Sequence, residues 1–297
     1  MLNFEDKVAL VTGAGRGLGR AHALLLASRG AAVVVNDYGG ALDGSDPSSA
    51  PAESVVAEIR AAGGRAVAST ESVATSAGAR AIVDTALSEF GRVDIVVNNA
   101  GNTGGRPTFG EIADDVAEAM IGVHLFGTLH VTQAAWSHMK EQGYGRVVNT
   151  TSGVGLFGKM KSTTYGAAKL GIVGLSASLA IEAEEFGIRV NCVAPIASTR
   201  MASDVFGALD KHLDPALVSP AVAYLAHESC PLNGRVLSVG GGRVAEVFFG
   251  TAPGYFDPEL TPEGVRDNLD QVLDHGAYVV PTDAMAEVGI TAALHGL

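Results

Sequence analysis

The sequence predicts an α/β fold: a doubly wound parallel sheet in a single domain, followed by a C-terminal extension. Three observations carry this. Short apolar runs of the kind buried on both faces of a sheet recur along residues 1–242. Helical stretches of crossover length separate them, which implies parallel pairing. A glycine-rich turn joins the first run to the first helix. With 297 residues, 47% of them hydrophobic and 18% charged, the chain has material for a large core, and global disorder is excluded. The 38 glycines are scattered rather than periodic, as suits many tight turns and excludes collagen.

Each element follows in order. Residues 8–11 form an apolar strand ending at Thr12-Gly13, and residues 20–29 carry helical spacing at Ala21, Leu24, Leu25 and Ala27 before Gly30. Residues 32–35 are the second strand, 39–51 a Gly/Ser/Asp/Pro loop, 53–62 a helix and 66–69 the third strand. A helix over 76–90 precedes the fourth apolar run, 93–97, which ends in Asn98-Asn99-Ala100-Gly101. A long helix covers 114–140, with a soft spot near Gly122 or Gly127. Then come a strand over 146–149, a helix over 165–185, a strand over 189–193, a short helix over 220–226 and a final strand over 236–239. The extension, residues 243–297, opens a helix at Thr261-Pro262-Glu263, with a threonine cap and proline in the first position. Val265, Leu269 and Val272 are expected to share one face. The apolar content of residues 245–297 predicts packing against the substrate side of this subunit or of a partner.

The net charge of −12 argues against a nucleic-acid surface and against anionic membranes. Two cysteines are too few for a disulfide framework. No signal peptide is visible, no apolar run reaches the ~18 residues of a spanning helix, and the final His295-Gly296-Leu297 does not match a peroxisomal address. A cytoplasmic location is expected. No metal site is expected.

Thr12-Gly13-Ala14-Gly15-Arg16-Gly17-Leu18-Gly19 lies between a strand and a helix. Its glycines let the backbone turn sharply and approach a pyrophosphate, and the helix N-terminus offers free N–H groups to that charge. Asp37 ends the second strand, 18 residues beyond Gly19, where a carboxylate binds the adenosine ribose hydroxyls of a dinucleotide in a Rossmann fold. It repels a 2′-phosphate, so NAD is favoured over NADP. Arg16 argues the other way, but a fixed like charge at the ribose must be overcome first.

Tyr165 and Lys169 are four apart at the start of a helix and share a face, and Ser152 follows a strand end, where ligands bind in a parallel sheet. With the glycine turn and Asn98-Asn99-Ala100-Gly101, these residues occur in the order and spacing of a classical short-chain dehydrogenase/reductase, which residues 3–242 resemble. The resemblance implies Tyr165 as acid/base, Lys169 lowering its pKa and holding the nicotinamide ribose, and Ser152 orienting the carbonyl. It implies a cofactor set of Gly13, Arg16, Gly17, Leu18, Gly19, Asp37, Ser72, Val73, Asn99, Ala100, Gly101, Tyr165, Lys169, Pro195 and Ile196. The physics agrees, because free tyrosine titrates near ~10. A cation about 5 Å away, at an effective dielectric of about 20, is worth roughly 3 kcal/mol, or about two units.

A closer similarity lies with the dehydrogenase part of the type 2 multifunctional β-oxidation enzymes. It is carried by Val35-Asn36-Asp37-Tyr38-Gly39-Gly40, Val123-His124-Leu125, Ala134-Ala135-Trp136, Tyr144-Gly145-Arg146, Tyr165 to Gly171, Arg200-Met201 and His227-Glu228-Ser229-Cys230. It implies oxidation of (3R)-3-hydroxyacyl-CoA with NAD. A hydroxysteroid of the 17β type or another lipid alcohol is the alternative substrate. A non-catalytic cofactor-binding scaffold is a third reading, and such proteins usually lose the tyrosine or lysine kept here. His124 replaces the asparagine usual in the broad family, as it does in the closer subgroup, and leaves open whether it is structural or part of a proton relay. Pro195-Ile196 replaces the usual Pro-Gly, and the hydratase and carrier parts do not follow the dehydrogenase part in this sequence. Family members pair through helices matching 114–140 and 165–185, so a homodimer or homotetramer is expected. An acidic protein binding coenzyme A needs a local basic mouth, for which Arg106, Lys159, Lys161 and Arg200 are candidates.

Overall fold

A computed structural model describes residues 1–40, 48–105, 107–200 and 206–297. The chain divides into two compact units, Met1–Glu246 and Val247–Leu297.

The strands are β1 (Val8–Thr12), β2 (Ala32–Asn36), β3 (Arg65–Ser69), β4 (Ile95–Asn98), β5 (Gly145–Thr150), β6 (Ile188–Pro195), β7 (Val236–Gly240) and β8 (Arg243–Val247), all in the first unit but for the last residue of β8. They lie in the order β3-β2-β1-β4-β5-β6-β7-β8, and the first seven pair in parallel. The strand order reverses between β1 and β4, the switch point where such sheets open a crevice at their carboxyl ends. The doubly wound parallel sheet is therefore as expected, but the run over 236–239 is not the last strand. Arg243–Val247 continues the sheet.

Alternation along each strand splits the core into two layers. Ala9, Val11, Val33, Val35, Ile95 and Val97 pack with Leu26, Val55, Ile59, Val222 and Leu225. These come from α1 (Gly17–Ser28), α2 (Ala50–Ala61) and α8 (Ser219–Ala226). Val8, Leu10, Val34 and Val96 pack on the other face with Ile82, Val83, Val131, Met139 and Ala180. Those belong to α3 (Ser76–Phe90), α5 (Gly127–Gln142) and α7 (Thr163–Ala183). Buried Asp94 fixes the register of β1 beside β4. It accepts from Val8 N at 2.8 Å and from Arg92 through both carboxylate oxygens at 2.6 and 2.8 Å.

The helix expected over 114–140 is interrupted where the glycines suggested. It runs as α4 (Asp114–Ile121), a π-helical turn (Gly122–Phe126) and then α5. A short helix, α6 (Gly153–Phe157), was not expected. By length and average composition, Thr163–Phe186 qualifies as a membrane span, with a mean hydropathy of 1.3, although no unbroken apolar run reaches that length. Here it is a core helix: α7 packs on β6, and its Ala168, Lys169, Ile172, Val173 and Ser176 are buried.

The second unit contains α9 (Pro262–Asp267), α10 (Leu269–Val272) and α11 (Ala284–Leu294). Thr261 caps α9, its Oγ1 accepting from Gly264 N at 3.0 Å. The chain leaves helical geometry at Asn268, so Val265 and Leu269 fall on separate helices. The unit is held by a bridge between Thr251 and Val279 and by stacking of Phe248 on Tyr278 at 5.5 Å. None of its residues is buried.

Candidate active site

Two turns at the carboxyl end of the sheet are laced together. Thr12 Oγ1 accepts from Asn99 N at 3.0 Å and from Ala100 N at 3.1 Å. Asn99 Nδ2 donates to Thr12 O at 2.9 Å and to Gly13 O at 3.1 Å. This close approach demands glycine. Gly13 has φ +63°, and a methyl there would meet Ala100 Cα at 2.8 Å. Gly19, expected in the cofactor set, does not line the cavity. A methyl on it would overlap Gly13 O, so its role is to let α1 pack against the turn. Asp37 braces the same turn, accepting from Gly15 N and Gly39 N, each at 2.7 Å.

Ser152 caps α6, its Oγ accepting from Val154 N at 3.1 Å. The next helix brings in Tyr165 and Lys169, with the Lys169 ammonium 5.8 Å from the Tyr165 ring centre. Lys169 is 3% exposed, and its Nζ donates to Thr150 O at 2.7 Å. Thr151 Oγ1 donates to Lys169 O at 2.6 Å, which pins the helix to the end of β5. Burial pulls the Lys169 pKa down to about 7, with Cys192 opposing. Burial also raises the Tyr165 pKa, and hydrogen bonding to Ser152 partly offsets that. The Tyr165 shift is therefore upward, against the expectation that Lys169 depresses it. Burial weakens the ammonium that was expected to do so.

Behind these groups runs a buried polar chain. Asn98 Nδ2 donates to Thr132 Oγ1 and to Asn149 Oδ1, and Asn149 Nδ2 donates to Ser176 Oγ, all at 2.8–2.9 Å. Cys192 Sγ donates to the same Ser176 Oγ at 3.1 Å. Both cysteines are free and buried.

A cavity of about 1040 Å³ joins the glycine turn to Ser152, Tyr165 and Lys169. Gly13, Arg16, Gly17, Leu18, Asp37, Ser72, Val73, Asn99, Ala100, Gly101, Pro195 and Ile196 line it. The glycine cradle, the braced carboxylate and the cavity size fit a nicotinamide dinucleotide. Lys159, Lys161 and Arg200 also line it, whereas Arg106 lies outside the described residues. Arg200 follows Thr199, whose Cγ2 is 3.7 Å from a methyl position on Gly17 in the glycine turn. Sequence reasoning missed Thr199, Tyr38, Met120 and Phe206 on the cavity wall. Thr199 was traceable as a hydroxyl residue just after Pro195, but the others carry no motif. Among the described residues no cluster of three or more His, Cys, Asp or Glu is placed to hold a metal ion.

The family model for short chain dehydrogenases matches residues 7–209. A short-chain type dehydrogenase/reductase of Mycobacterium tuberculosis is 52% identical over 277 residues, covering 92% of this chain and 96% of that protein. The mouse peroxisomal multifunctional enzyme type 2 is 44% identical over 300 residues, covering 99% of this chain but only 40% of the longer enzyme. A hydroxyacyl-CoA dehydrogenase of M. tuberculosis is 39% identical over 281 residues, 88% of this chain and 84% of its own. Among solved structures, the full-length peroxisomal multifunctional enzyme type 2 of Drosophila melanogaster superposes with a TM-score of 0.81 at 33% identity, covering 98% of this chain and 49% of that one. The family match spans the glycine turn, the Asn98–Gly101 turn and the Ser152, Tyr165 and Lys169 cluster that the sheet has gathered at one crevice. The chain therefore belongs to the short-chain dehydrogenase/reductase family, oxidoreductases that use a nicotinamide cofactor on CH–OH groups, and it is similar over nearly its whole length to the dehydrogenase part of multifunctional enzyme type 2.

Proposed function

We propose that this enzyme uses NAD to interconvert (3R)-3-hydroxyacyl-CoA and 3-oxoacyl-CoA. The observation that carries the reading is a cavity with two characters. Its wall includes the apolar Met120, Val123, Val154 and Phe206 as well as Ser152 and Tyr165. It also includes the cations Lys159 and Lys161, in a protein of net charge −12. An apolar acyl chain with a polyanionic head matches both, and the similarity to a hydroxyacyl-CoA dehydrogenase supports the same class.

In this reading Tyr165 Oη takes the proton from the alcohol oxygen, and Ser152 Oγ holds that oxygen in place. Lys169 and Asp37 hold the two ribose ends of the dinucleotide, and Gly13 and Gly17 admit its pyrophosphate. NAD, when bound, supplies the hydride acceptor. The outer faces of α5 and α7 are expected to pair copies of the chain into a homodimer or homotetramer, and a cytoplasmic location goes with this reading.

The test is a panel of 3-hydroxyacyl-CoA and steroid alcohols with NAD and NADP, read by cofactor absorbance. Exposed charge pairs are worth ~0.2–1 kcal/mol each, so Lys159→Ala with Lys161→Ala raises the KM for an acyl-CoA roughly 2- to 30-fold. The effect shrinks at high salt. A short hydroxythioester without the nucleotide is unaffected. If both substrates respond alike, or neither does, the coenzyme A reading fails. Turnover of steroid alcohols alone would favour the hydroxysteroid reading, for which the apolar wall suffices.

A further inference from the structure

We propose that His124 is a positioning residue, whose ring ties the loop after β4 to Tyr165. The π turn Gly122–Phe126 presents this side chain, and π turns are concentrated at functional sites. Thr128 Oγ1 donates to the His124 carbonyl at 2.8 Å, and Thr132 Oγ1 donates to Thr128 O at 2.7 Å, so the turn is braced by the buried polar chain. The His124 ring is 1% exposed and stands at 89° to the Tyr165 ring with centres 5.2 Å apart, an edge-to-face contact.

The other contact of the ring is to backbone. His124 Nε2 lies 3.0 Å from Asn102 O and 3.3 Å from Asn102 N. One nitrogen cannot donate to the first and accept from the second at once. The shorter contact puts the proton on Nε2, donating to Asn102 O. Nδ1 is then a buried acceptor without a partner, rather than a stranded N–H. The loop is matched to the ring on its other side as well, because a methyl on Gly101 would overlap His124 Cε1. The side chain is also unsuited to carrying protons. Burial, and secondarily Lys169, hold its pKa near about 3. His124 therefore acts through packing and one hydrogen bond, fixing the loop that lines the cavity and the plane of the Tyr165 ring.

The inference rests on Tyr165 as the proton-transferring group, and Tyr165→Phe is the control. Activity surviving in that variant would overturn the assignment of Tyr165 itself. The test compares His124→Leu with His124→Gln, of similar volume, on whichever alcohol the wild type oxidises. Glutamine places an N–H near the reach of Nε2, and leucine places none. His124→Leu should lower kcat about tenfold while the Kd for NAD, from fluorescence titration, stays within about twofold, and His124→Gln should recover at least about a third of the wild-type kcat. Equal kcat in the two variants overturns the proposal, as does a leucine variant with wild-type kcat or one whose loss tracks NAD affinity. If the leucine variant does not fold, His124→Gln decides, and a kcat below about a tenth of wild type overturns the proposal.

Discussion

Asp37→Ala tests the choice of cofactor, and the geometry shows it to be a double perturbation. The carboxylate accepts from Gly15 N and Gly39 N at 2.7 Å, so it both braces the glycine turn and carries the charge. A 2′-phosphate about 5 Å from the carboxylate, at an effective dielectric of about 20, meets roughly 3 kcal/mol of repulsion per charge, or about 200-fold in affinity. Wild type should therefore bind NAD at least ~100-fold more tightly than NADP. Loss of the carboxylate removes that repulsion, and Arg16, which also lines the cavity, becomes available to the phosphate. The two bonds to a charged acceptor are worth ~1.5–3 kcal/mol each, at the low end here because both sites are partly exposed, so a stability loss of about 3 kcal/mol should accompany the change. Paired titrations with NAD and NADP read the first effect, and denaturant unfolding reads the second. A wild type that prefers NADP, or an Asp37→Ala variant whose affinity ratio is unchanged, would refute the reasoning.

Three further outcomes are expected. Tyr165→Phe should abolish turnover while NAD still binds, and Lys169→Ala should weaken both catalysis and NAD affinity; near-normal turnover in the first removes the acid/base role. His22 and His124 are buried with pKa values near about 3, far below the ~6.5 of an unfolded histidine, so the unfolded chain binds more protons and stability falls as pH drops from 6.5 toward 3. At pH ~5 each should cost about 2 kcal/mol, so urea unfolding showing equal stability at pH 7 and 5 contradicts the assignment. Truncation after Val247, which keeps β8, should change the assembly state or the substrate KM, because Phe248, Phe249, Leu260 and Leu273 are all more than 45% exposed and need a surface to cover them; if neither changes, the extension has no such role.

The parts of this molecule that were legible in the sequence are those specified by local chemistry. Apolar runs bounded by Gly and Asn gave β1 to β7 within a few residues, because a strand buried on both faces tolerates little else. The glycine pair at 122 and 127 marked the break in the long helix, but not that the break is a π turn. What escaped depends on partners distant in the chain. Arg243–Val247 is an edge strand with exposed charges and no continuous apolar run. Residues Gly153–Phe157 form a single helical stretch whose cap, Ser152, was noticed only for its chemistry. Thr150 enters the site through its carbonyl, which no side chain advertises. Asp37 was read as a ribose ligand, whereas its bracing of the Gly15 turn required the fold.

The electrostatics of Lys169 is the clearest case of chemistry that composition cannot supply. Spacing placed a cation four residues after a tyrosine, and an isolated pair at that range would push the tyrosine down by about two units. The fold buries both. Lys169 drops to about 7, and Tyr165 rises instead. An ammonium group has three N–H donors, and Thr150 O is the acceptor the structure gives it. Further acceptors in the crevice would favour the charged lysine, and a charged lysine would in turn favour the tyrosinate. In the reading proposed above, the ribose hydroxyls of NAD would be such acceptors. In the proposed reading, the contact that would hold the nicotinamide ribose would therefore also keep Lys169 charged, and that charge is what offsets the burial of Tyr165.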